Sequence, residues 1–405
     1  MPNDTYTSKS PQRPTVAADG QVATRRSATG PLTGIRVVEM AGIGPCPFAG
    51  MMLADMGAEV VRIDRLEAPV VSIPEDHDLL NRGKSSIAVD LKHGEATEII
   101  LDLVEHADVL IEGFRPGVME RRNLGPDECA ARNRRLVYGR MTGWGQDGRL
   151  ASAAGHDVNY IALSGVLDQI GREGDRPLPP LNLVADFGGG GMLLAFGVVS
   201  ALVERAGSNL GQVVDAAMID GSALLMTSIF GMLAAGGWNL ERGTNTIPAA
   251  PFYDVYETAD GRYVALGSIE PQFWAAAVNL LDLPASDVGA QHDRSRWPEL
   301  RTHVAEAIKR RTRDEWERLS NGVDACLAPV LTMVEATAHP HHVDRQTFTE
   351  VGGTAQPAPA PRFSRSGVGD VHAPPRRGAH TDDVLRQLGR TKADIMSLRD
   401  RRIVA

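Results

Sequence analysis

Three short stretches in the middle of the chain hold the side chains that could do chemistry. They are Met141-Thr-Gly-Trp-Gly-Gln146, Gly155-His156-Asp157, and Asn182-Leu-Val-Ala-Asp186 with four glycines soon after it. Histidine and aspartate are side chains that exchange protons with bound ligands. The first stretch follows a predicted strand, so it lies at the carboxyl edge of a sheet, where open α/β sheets bind ligands. These stretches therefore form our candidate ligand site.

Asp186 has two possible roles at this stage. It precedes the apolar segment Met192–Glu204, and an aspartate at a helix start commonly caps the helix. However, the glycines Gly188–Gly191 lower helix stability and would let a ligand approach the backbone. The residues alone leave both interpretations open.

Three other motifs fail on inspection. Gly42-x-Gly44 follows a strand and Asp64 ends the next one, as in dinucleotide-binding folds. However, the position of the third glycine in that motif is occupied by Pro47. Proline has no N–H to donate to a pyrophosphate. Gly83-Lys84-Ser85 lacks the earlier glycine of a phosphate loop. The cluster of His339, His341 and His342 has no cysteine or spaced carboxylate beside it, so we expect a solvated loop and no metal site.

The elements that must position these residues alternate between strand and helix. A buried strand at 35–40, an apolar helix at 48–56 and a second strand at 59–64 form a βαβ unit. The same rhythm predicts further strands at 86–91, 108–114, 136–141 and 212–218, with helices at 96–106, 192–204 and 219–235. Such alternation predicts an α/β fold with a parallel sheet.

The second half of the chain changes in style. Strands at 252–257 and 262–266 flank Asp260-Gly261, a hairpin signal whose two turn residues would both take positive φ. Helices are predicted near 271–281 and 297–311, and a closing helical pair at 380–403. This region predicts a smaller α+β domain.

Composition excludes several classes of protein. The 405-residue chain has a net charge of −9, which argues against a nucleic-acid binder. Its longest apolar stretches are broken by glycine or charge before the roughly 18 residues that a membrane helix needs. The first 31 residues are polar and lack a secretory signal, so we expect a disordered extension. Cys46, Cys129 and Cys326 are few and odd in number, as in a reducing compartment, so we expect a cytoplasmic protein.

Several long stretches resemble one family. Leu53–Asp64, Ile111–Gly117 and Gly267-Ser-Ile-Glu-Pro-Gln-Phe273, together with the three candidate stretches, make the chain similar to the family III CoA-transferases (the CaiB/BaiF superfamily), and within them to the α-methylacyl-CoA racemases. The resemblance runs from about Leu32 to the C-terminus.

This resemblance implies an interlocked homodimer whose active site lies between the large domain of one subunit and the small domain of the other. The large Rossmann-like, CoA-binding domain would take residues 32–225, a linker 226–244 and the small α+β domain 245–335. Residues 336–405 would return to the large domain.

It also implies roles for individual residues. His156 and Asp186 would be the two proton-transferring residues, on opposite faces of the α-carbon of an acyl-CoA thioester. Asp186, at a helix start, would be kept ionised by the helix dipole. Glu270 would orient His156, and a backbone N–H near Asp157 would meet the enolate oxygen. The CoA phosphates would meet four cations, which are Arg62, Arg65, Lys84 and Arg115. No metal and no cofactor other than the CoA of the substrate is implied.

Three functions stay open. Inversion of a 2-methylacyl-CoA is favoured because family transferases, in which an aspartate at the position of Asp186 attacks the thioester, do not need His156 and Glu270. CoA transfer and non-catalytic acyl-CoA binding are the alternatives. One departure concerns the acyl group. Where the racemases have Leu-Asp-Gly-Gly-Ala-Pro, this chain has Thr246-Ile-Pro-Ala-Ala-Pro251, so we expect an unusual substrate.

Overall fold

A six-stranded sheet, parallel throughout, forms the centre of the large domain. A computed structural model describes residues 29–67, 73–369 and 371–405. The strand order is β3-β2-β1-β4-β5-β6, and adjacent strands pair in parallel register. The strands are β1 Arg36–Met40, β2 Glu59–Asp64, β3 Ser85–Ala88, β4 Val109–Glu112, β5 Val137–Thr142 and β6 Val213–Ala217. This is the Rossmann order, with its reversal between β1 and β4, and the predicted fold class is confirmed.

Helices cover both faces of this sheet. They are α1 Pro45–Asp55, α2 Gly94–Glu105, α3 Pro126–Arg132, α4 Asp157–Leu163, a π-helix at Leu183–Met192, α5 Leu193–Ser208, α6 Met218–Leu225 and α7 Thr227–Ala234. Short 3₁₀ turns lie at Glu75–His77, Leu79–Asn81, Glu120–Arg122 and Leu167–Gln169. The single helix predicted at 219–235 is two helices, because Met226 leaves helical geometry with ψ of 3°.

The small domain is built on a three-stranded antiparallel sheet. Its elements are α8 Thr246–Ala249, β7 Tyr253–Glu257, β8 Tyr263–Gly267, α9 Pro271–Leu280, α10 Ser286–Gly289, a 3₁₀ turn at Arg294–Arg296, α11 Trp297–Ile308, α12 Arg313–Ser320 and β9 Leu327–Pro329. The predicted hairpin between β7 and β8 is present, but its turn differs. Gly261 has φ of 74° whereas Asp260 does not take positive φ, because residues 258–262 form a longer loop.

The chain then returns to the large domain through α13 Met333–Ala338, α14 Pro340–Arg345, β10 Phe348–Val351, β11 Thr354–Pro357, α15 Thr381–Gln387 and α16 Lys392–Asp400. Three clusters of buried apolar side chains hold the molecule together. One lies under α1 and α5, and one joins α2, α15 and α16 to the sheet. The third fills the small domain from Ala250 to Leu327. The sequence-based domain boundaries stay a prediction, and the predicted N-terminal extension lies mostly outside the described residues.

The prediction that no apolar segment reaches membrane-spanning length is wrong. The π-helix and α5 form one helix, Leu183–Ser208, with a mean hydropathy of 1.6 over its best window. The glycines expected to interrupt it lie inside it. Leu194, Ala195 and Val198 pack against the sheet, whereas Phe196 and Val203 on the opposite side are 72% and 71% exposed. The helix therefore has one face in the core and one apolar face at the surface.

Candidate active site

The candidate site lies at the carboxyl edge of the sheet, beyond β5. His156 is the N-cap of α4, and its backbone N–H donates to Asn159 Oδ1 at 3.0 Å. Its imidazole is exposed. An N-cap residue has extended backbone geometry, here φ −137° and ψ 173°, so the side chain leaves the helix axis instead of following it. His156 is thus fixed through its backbone, while its ring lies at the surface, where a ligand can reach it.

Asp157 joins this histidine to the π-helix. Its side chain is 4% exposed, and Oδ2 accepts the backbone N–H groups of Ala185 at 2.7 Å and Asp186 at 2.9 Å. These bonds hold the residue after His156 against the backbone of Asp186. The two predicted proton-transfer residues are therefore brought together, and the charge of His156 acts directly on the Asp186 carboxyl group.

Asp186 lies inside the π-helix, not before a helix. The N-cap interpretation is therefore excluded, since the N-cap of the π-helix is Asn182 and Asp186 lies in its first turn. A favourable effect of the helix dipole on the ionised carboxylate stays a prediction. Burial raises the pKa of the Asp186 carboxyl group, a hydrogen bond from Asn182 lowers it, the Asp157 charge raises it and the His156 charge lowers it, with a net upward shift. A carboxyl group with a raised pKa is a stronger proton acceptor than an ordinary aspartate.

Sequence reasoning assigned no role to Asn182. Its Nδ2 donates to Asp186 Oδ2 at 3.0 Å. The spacing of four residues, which places side chains on one helix face, is the signal that could have identified it. On the other side, a Cβ atom added to Gly44 would lie 3.4 Å from Asp186 Oδ2. The turn between β1 and α1 therefore passes beside the carboxylate, and a larger residue there would crowd it.

The glycine run serves helix packing. A Cβ on Gly221 of α6 would lie 1.8 Å from the carbonyl oxygen of Gly189, and one on Gly191 would lie 2.7 Å from Phe48 of α1. The expectation that these glycines open the backbone to a ligand is not supported, because α6 and α1 occupy that space. The glycines let two helices approach the helix that carries Asp186.

Tyr160 and two glycines form a wall of the site. Tyr160 Oη donates to the carbonyl of Gly155 at 2.5 Å, and its ring meets Trp144 edge-on with centroids 4.8 Å apart. A Cβ on Gly143 would lie 2.2 Å from the ring. The Met141–Gln146 stretch thus holds the segment that bears His156.

Glu270 is not in this group. It is exposed, and it is the N-cap of α9 in the small domain, where its charge acts on Cys326. Among residues 29–67, 73–369 and 371–405, no hydrogen bond or ion pair links it to His156. The altered loop is also in the small domain, as α8, and Phe252 after it is fully buried between Trp274 and Trp297.

The four predicted phosphate-binding cations divide into two pairs. Lys84 Nζ is fully buried, 2.7 Å from Glu39 Oε2 and also bonded to Pro47 O and Asn81 Oδ1. Arg62 is buried against Asp64 at 2.8 Å. A phosphate cannot reach these two cations in this geometry, so their predicted role is not supported.

Arg65 and Arg115 are exposed beyond β2 and β4. Arg115 lies close enough to Tyr160 for its charge to act on the phenol, which places it beside the candidate site. No group of three or more His, Cys, Asp or Glu side chains suited to a metal ion occurs in the described part of the chain.

The large domain has a Rossmann-ordered sheet with an imidazole and a carboxylate at its carboxyl edge, and a small antiparallel domain follows it. Sequence comparison identifies the family of proteins that has this arrangement. The chain belongs to the family III CoA-transferases, because the model for "CoA-transferase family III" matches residues 32–381. The predicted family resemblance is confirmed.

Individual relatives are more specific. Mouse α-methylacyl-CoA racemase is 44% identical over 376 residues, which cover 92% of this chain and 97% of that protein. The human α-methylacyl-CoA racemase is 40% identical with the same coverage. The crystal structure of a CaiB/BaiF family protein from Brucella suis superposes with a TM-score of 0.75 at 26% identity, over 89% of this chain and 100% of that one.

Proposed function

We propose that this protein is an isomerase that inverts the α-carbon of a 2-methylacyl-CoA thioester. The observation that carries this proposal is the pair of His156 and Asp186, joined through Asp157 at the ligand-binding edge of the sheet. The similarity to two α-methylacyl-CoA racemases over nearly the whole chain supports it. A bound metal or redox cofactor has no part in the proposal.

The chemistry follows from the acidity of the α-hydrogen. A hydrogen next to a thioester carbonyl is weakly acidic, so its removal needs a positioned base and stabilisation of the enolate. Inversion needs a second residue that returns a proton to the opposite face. The raised pKa of Asp186 suits it to accept and return a proton, and His156 supplies the other face. The backbone N–H of Asp157, at the first position of α4, has no intrahelical acceptor and is our candidate for the enolate oxygen.

The alternative of CoA transfer would use Asp186 as a nucleophile on the thioester carbonyl. The position of His156 beside Asp186 favours proton transfer, because transfer of CoA through an aspartyl anhydride needs no imidazole there.

Proton NMR of 2-methylpropanoyl-CoA and of (R)-2-methylacyl-CoA, each incubated with the protein in deuterated water, separates the functions. Loss of the α-proton signal from both thioesters, with formation of both configurations from the (R)-thioester, supports the proposal. Since 2-methylpropanoyl-CoA has no stereocentre, it reports exchange alone. Movement of CoA to an added carboxylate without exchange would establish a transferase. Binding with neither reaction would leave a non-catalytic acyl-CoA binder. His156→Ala and Asp186→Ala should each abolish racemisation, because inversion needs both residues, and full activity in both variants would contradict the site assignment.

We propose that the CoA moiety lies on the large domain with Arg65 and Arg115 at its phosphates. Both guanidinium groups are exposed beyond strand ends on the ligand-binding edge, and neither takes part in the buried ion pairs that hold Arg62 and Lys84. Arg115→Ala should raise KM for the thioester without changing the thermal stability.

We also propose that the protein is a soluble, cytoplasmic homodimer. The outer face of α5 exposes Phe196 and Val203, and α6 and α7 expose Leu224, Leu225 and Phe230, all by more than half. Large apolar side chains exposed on three helices of one domain indicate an interaction site. Since no hydrogen bond or ion pair joins Glu270 to His156 within the described part of one chain, a second subunit would bring its own small domain to the site and supply this carboxylate.

Co-expression of His156→Ala and Glu270→Ala subunits tests this arrangement. If Glu270 of the partner subunit completes each site, random pairing restores about a quarter of all sites, although each variant alone is inactive. If both residues act within one subunit, the mixture stays inactive. Sedimentation equilibrium gives the oligomeric state directly, and flotation with lipid vesicles would reveal membrane binding instead.

A further inference from the structure

Asp157 stands out because its side chain contacts the backbone of a proposed catalytic residue. Its carboxylate is buried, and one oxygen, Oδ2, accepts both the Ala185 and the Asp186 N–H groups. The acceptor of both N–H groups is thus a single side chain from a different helix. It lies 28 residues before Ala185 and 29 residues before Asp186 in the chain. The backbone position of Asp186 therefore depends on Asp157.

The other oxygen, Oδ1, is buried and has no hydrogen-bond partner among the described residues. The negative charge of Asp157 is thus only partly compensated. In an interior of low polarity, an uncompensated charge acts strongly on its neighbours. The charge of Asp157 acts on Asp186 in the direction that favours the protonated carboxyl group.

We propose that Asp157 is a positioning residue that fixes Asp186 through two backbone hydrogen bonds and places a buried carboxylate charge, one oxygen of which has no hydrogen-bond partner, beside it. This inference rests on the proposed proton-transfer function of Asp186. It assigns to the side chain of Asp157 a task separate from the backbone N–H proposed for the enolate oxygen.

Few other ionisable groups act on the pKa of the Asp186 carboxyl group. The ionisable groups that act on Asp186 are Asp157 and His156, and Tyr160 responds to the Asp186 charge. Two of the helices that pack on the π-helix, α1 and α6, meet its glycines with Pro45, Phe48, Gly221 and Ser222, none of which titrates. A change of charge at residue 157 should therefore change the pKa of Asp186.

Two substitutions separate the tether from the charge. Asp157→Asn keeps one oxygen that can accept both N–H groups, but it removes the charge. We expect its kcat to fall by less than about tenfold, with the pH limb assigned to Asp186 moved to lower pH. Asp157→Ala removes both, and we expect a loss in kcat on the order of 100-fold, as for a misplaced catalytic group, with KM changed by less than about threefold.

Asp127→Asn is the matched control. Asp127 also lies in the first turn of a seven-residue helix, but it is exposed and far from the site in sequence. It should leave both kcat and the pH profile unchanged. An unshifted pH limb in Asp157→Asn would refute the role of the charge, and an equal loss of kcat in both Asp157 variants would refute the role of the tether.

The tether is also measurable without turnover. Hydrogen exchange at the amides of residues 185 and 186 should accelerate in Asp157→Ala and stay near wild type in Asp157→Asn. If the wild-type protein exchanges no α-proton, the proposed function fails. If it does, and amide exchange is equal in all three proteins, the inference about Asp157 fails alone.

Discussion

The buried pair of Lys84 and Glu39 allows a direct test of whether Lys84 binds substrate or stabilises the fold. Sequence reasoning places Lys84 at a CoA phosphate, whereas the structure places it at zero exposure against a fully buried Glu39. Burial lowers the pKa of Lys84 and raises the pKa of Glu39, against their mutual attraction. The two groups thus carry a desolvation penalty that only their pairing offsets.

Lys84→Met should therefore destabilise the fold. Removing one partner of a buried ion pair costs about 3–5 kcal/mol because the other charge is left unpaired. For a domain of this size, each kcal/mol lowers Tm by about 2–4 °C, so we expect a fall on the order of 10 °C. The double variant Glu39→Leu/Lys84→Met replaces both charges with apolar groups and should recover most of that loss.

The assay compares thermal unfolding, followed by circular dichroism, with KM for the acyl-CoA. Arg115→Met serves as the control, since Arg115 is exposed, and it should raise KM at unchanged Tm. If Lys84→Met keeps the wild-type Tm and raises KM instead, then Lys84 contacts substrate and the reasoning from burial is refuted. A double variant no more stable than Lys84→Met would contradict the pairing argument.

Two further predictions concern groups around the site. Burial raises the pKa of Glu112 to about 7, although the Phe114 N–H and Arg140 lower it. The folded state therefore favours the protonated carboxyl group. The contribution of this group to stability is lost as the pH rises from 4.5 through 7. Relative to Glu112→Gln, the wild-type protein should lose about 3 kcal/mol of unfolding free energy over that range, measured by urea denaturation at several pH values, and a constant difference would contradict this. Gly143→Ala should displace Tyr160, whose ring lies 2.2 Å from the new Cβ, lowering kcat/KM by on the order of 100-fold and stability by about 1–3 kcal/mol. Gly207→Ala, whose Cβ would meet nothing within 4 Å, is its control, and equal activity in the two variants would show that Tyr160 does not need its position.

The sequence by itself determined the order of elements and the stretches that form the site. Alternating apolar segments of strand and helix length, separated by glycine, predict the parallel sheet because each strand must be buried on both faces. His156 and Asp186 were identified because long stretches around them match one family. The hairpin of β7 and β8 also follows from local signals, although its turn is longer than Asp260-Gly261 suggests.

Only the tertiary structure decided what contacts these residues make. Lys84 meets Glu39, which lies 45 residues earlier, and Gly189 meets Gly221 of a different helix. Neither spacing has a local signature, because contacts between elements depend on how the elements pack and not on their distance along the chain. The same holds for Asp157 and the backbone of Asp186. Sequence position predicts that Lys84, near a strand end, is exposed and that the glycines at 188–191 leave space for a ligand. Both predictions fail because burial is a property of the whole fold.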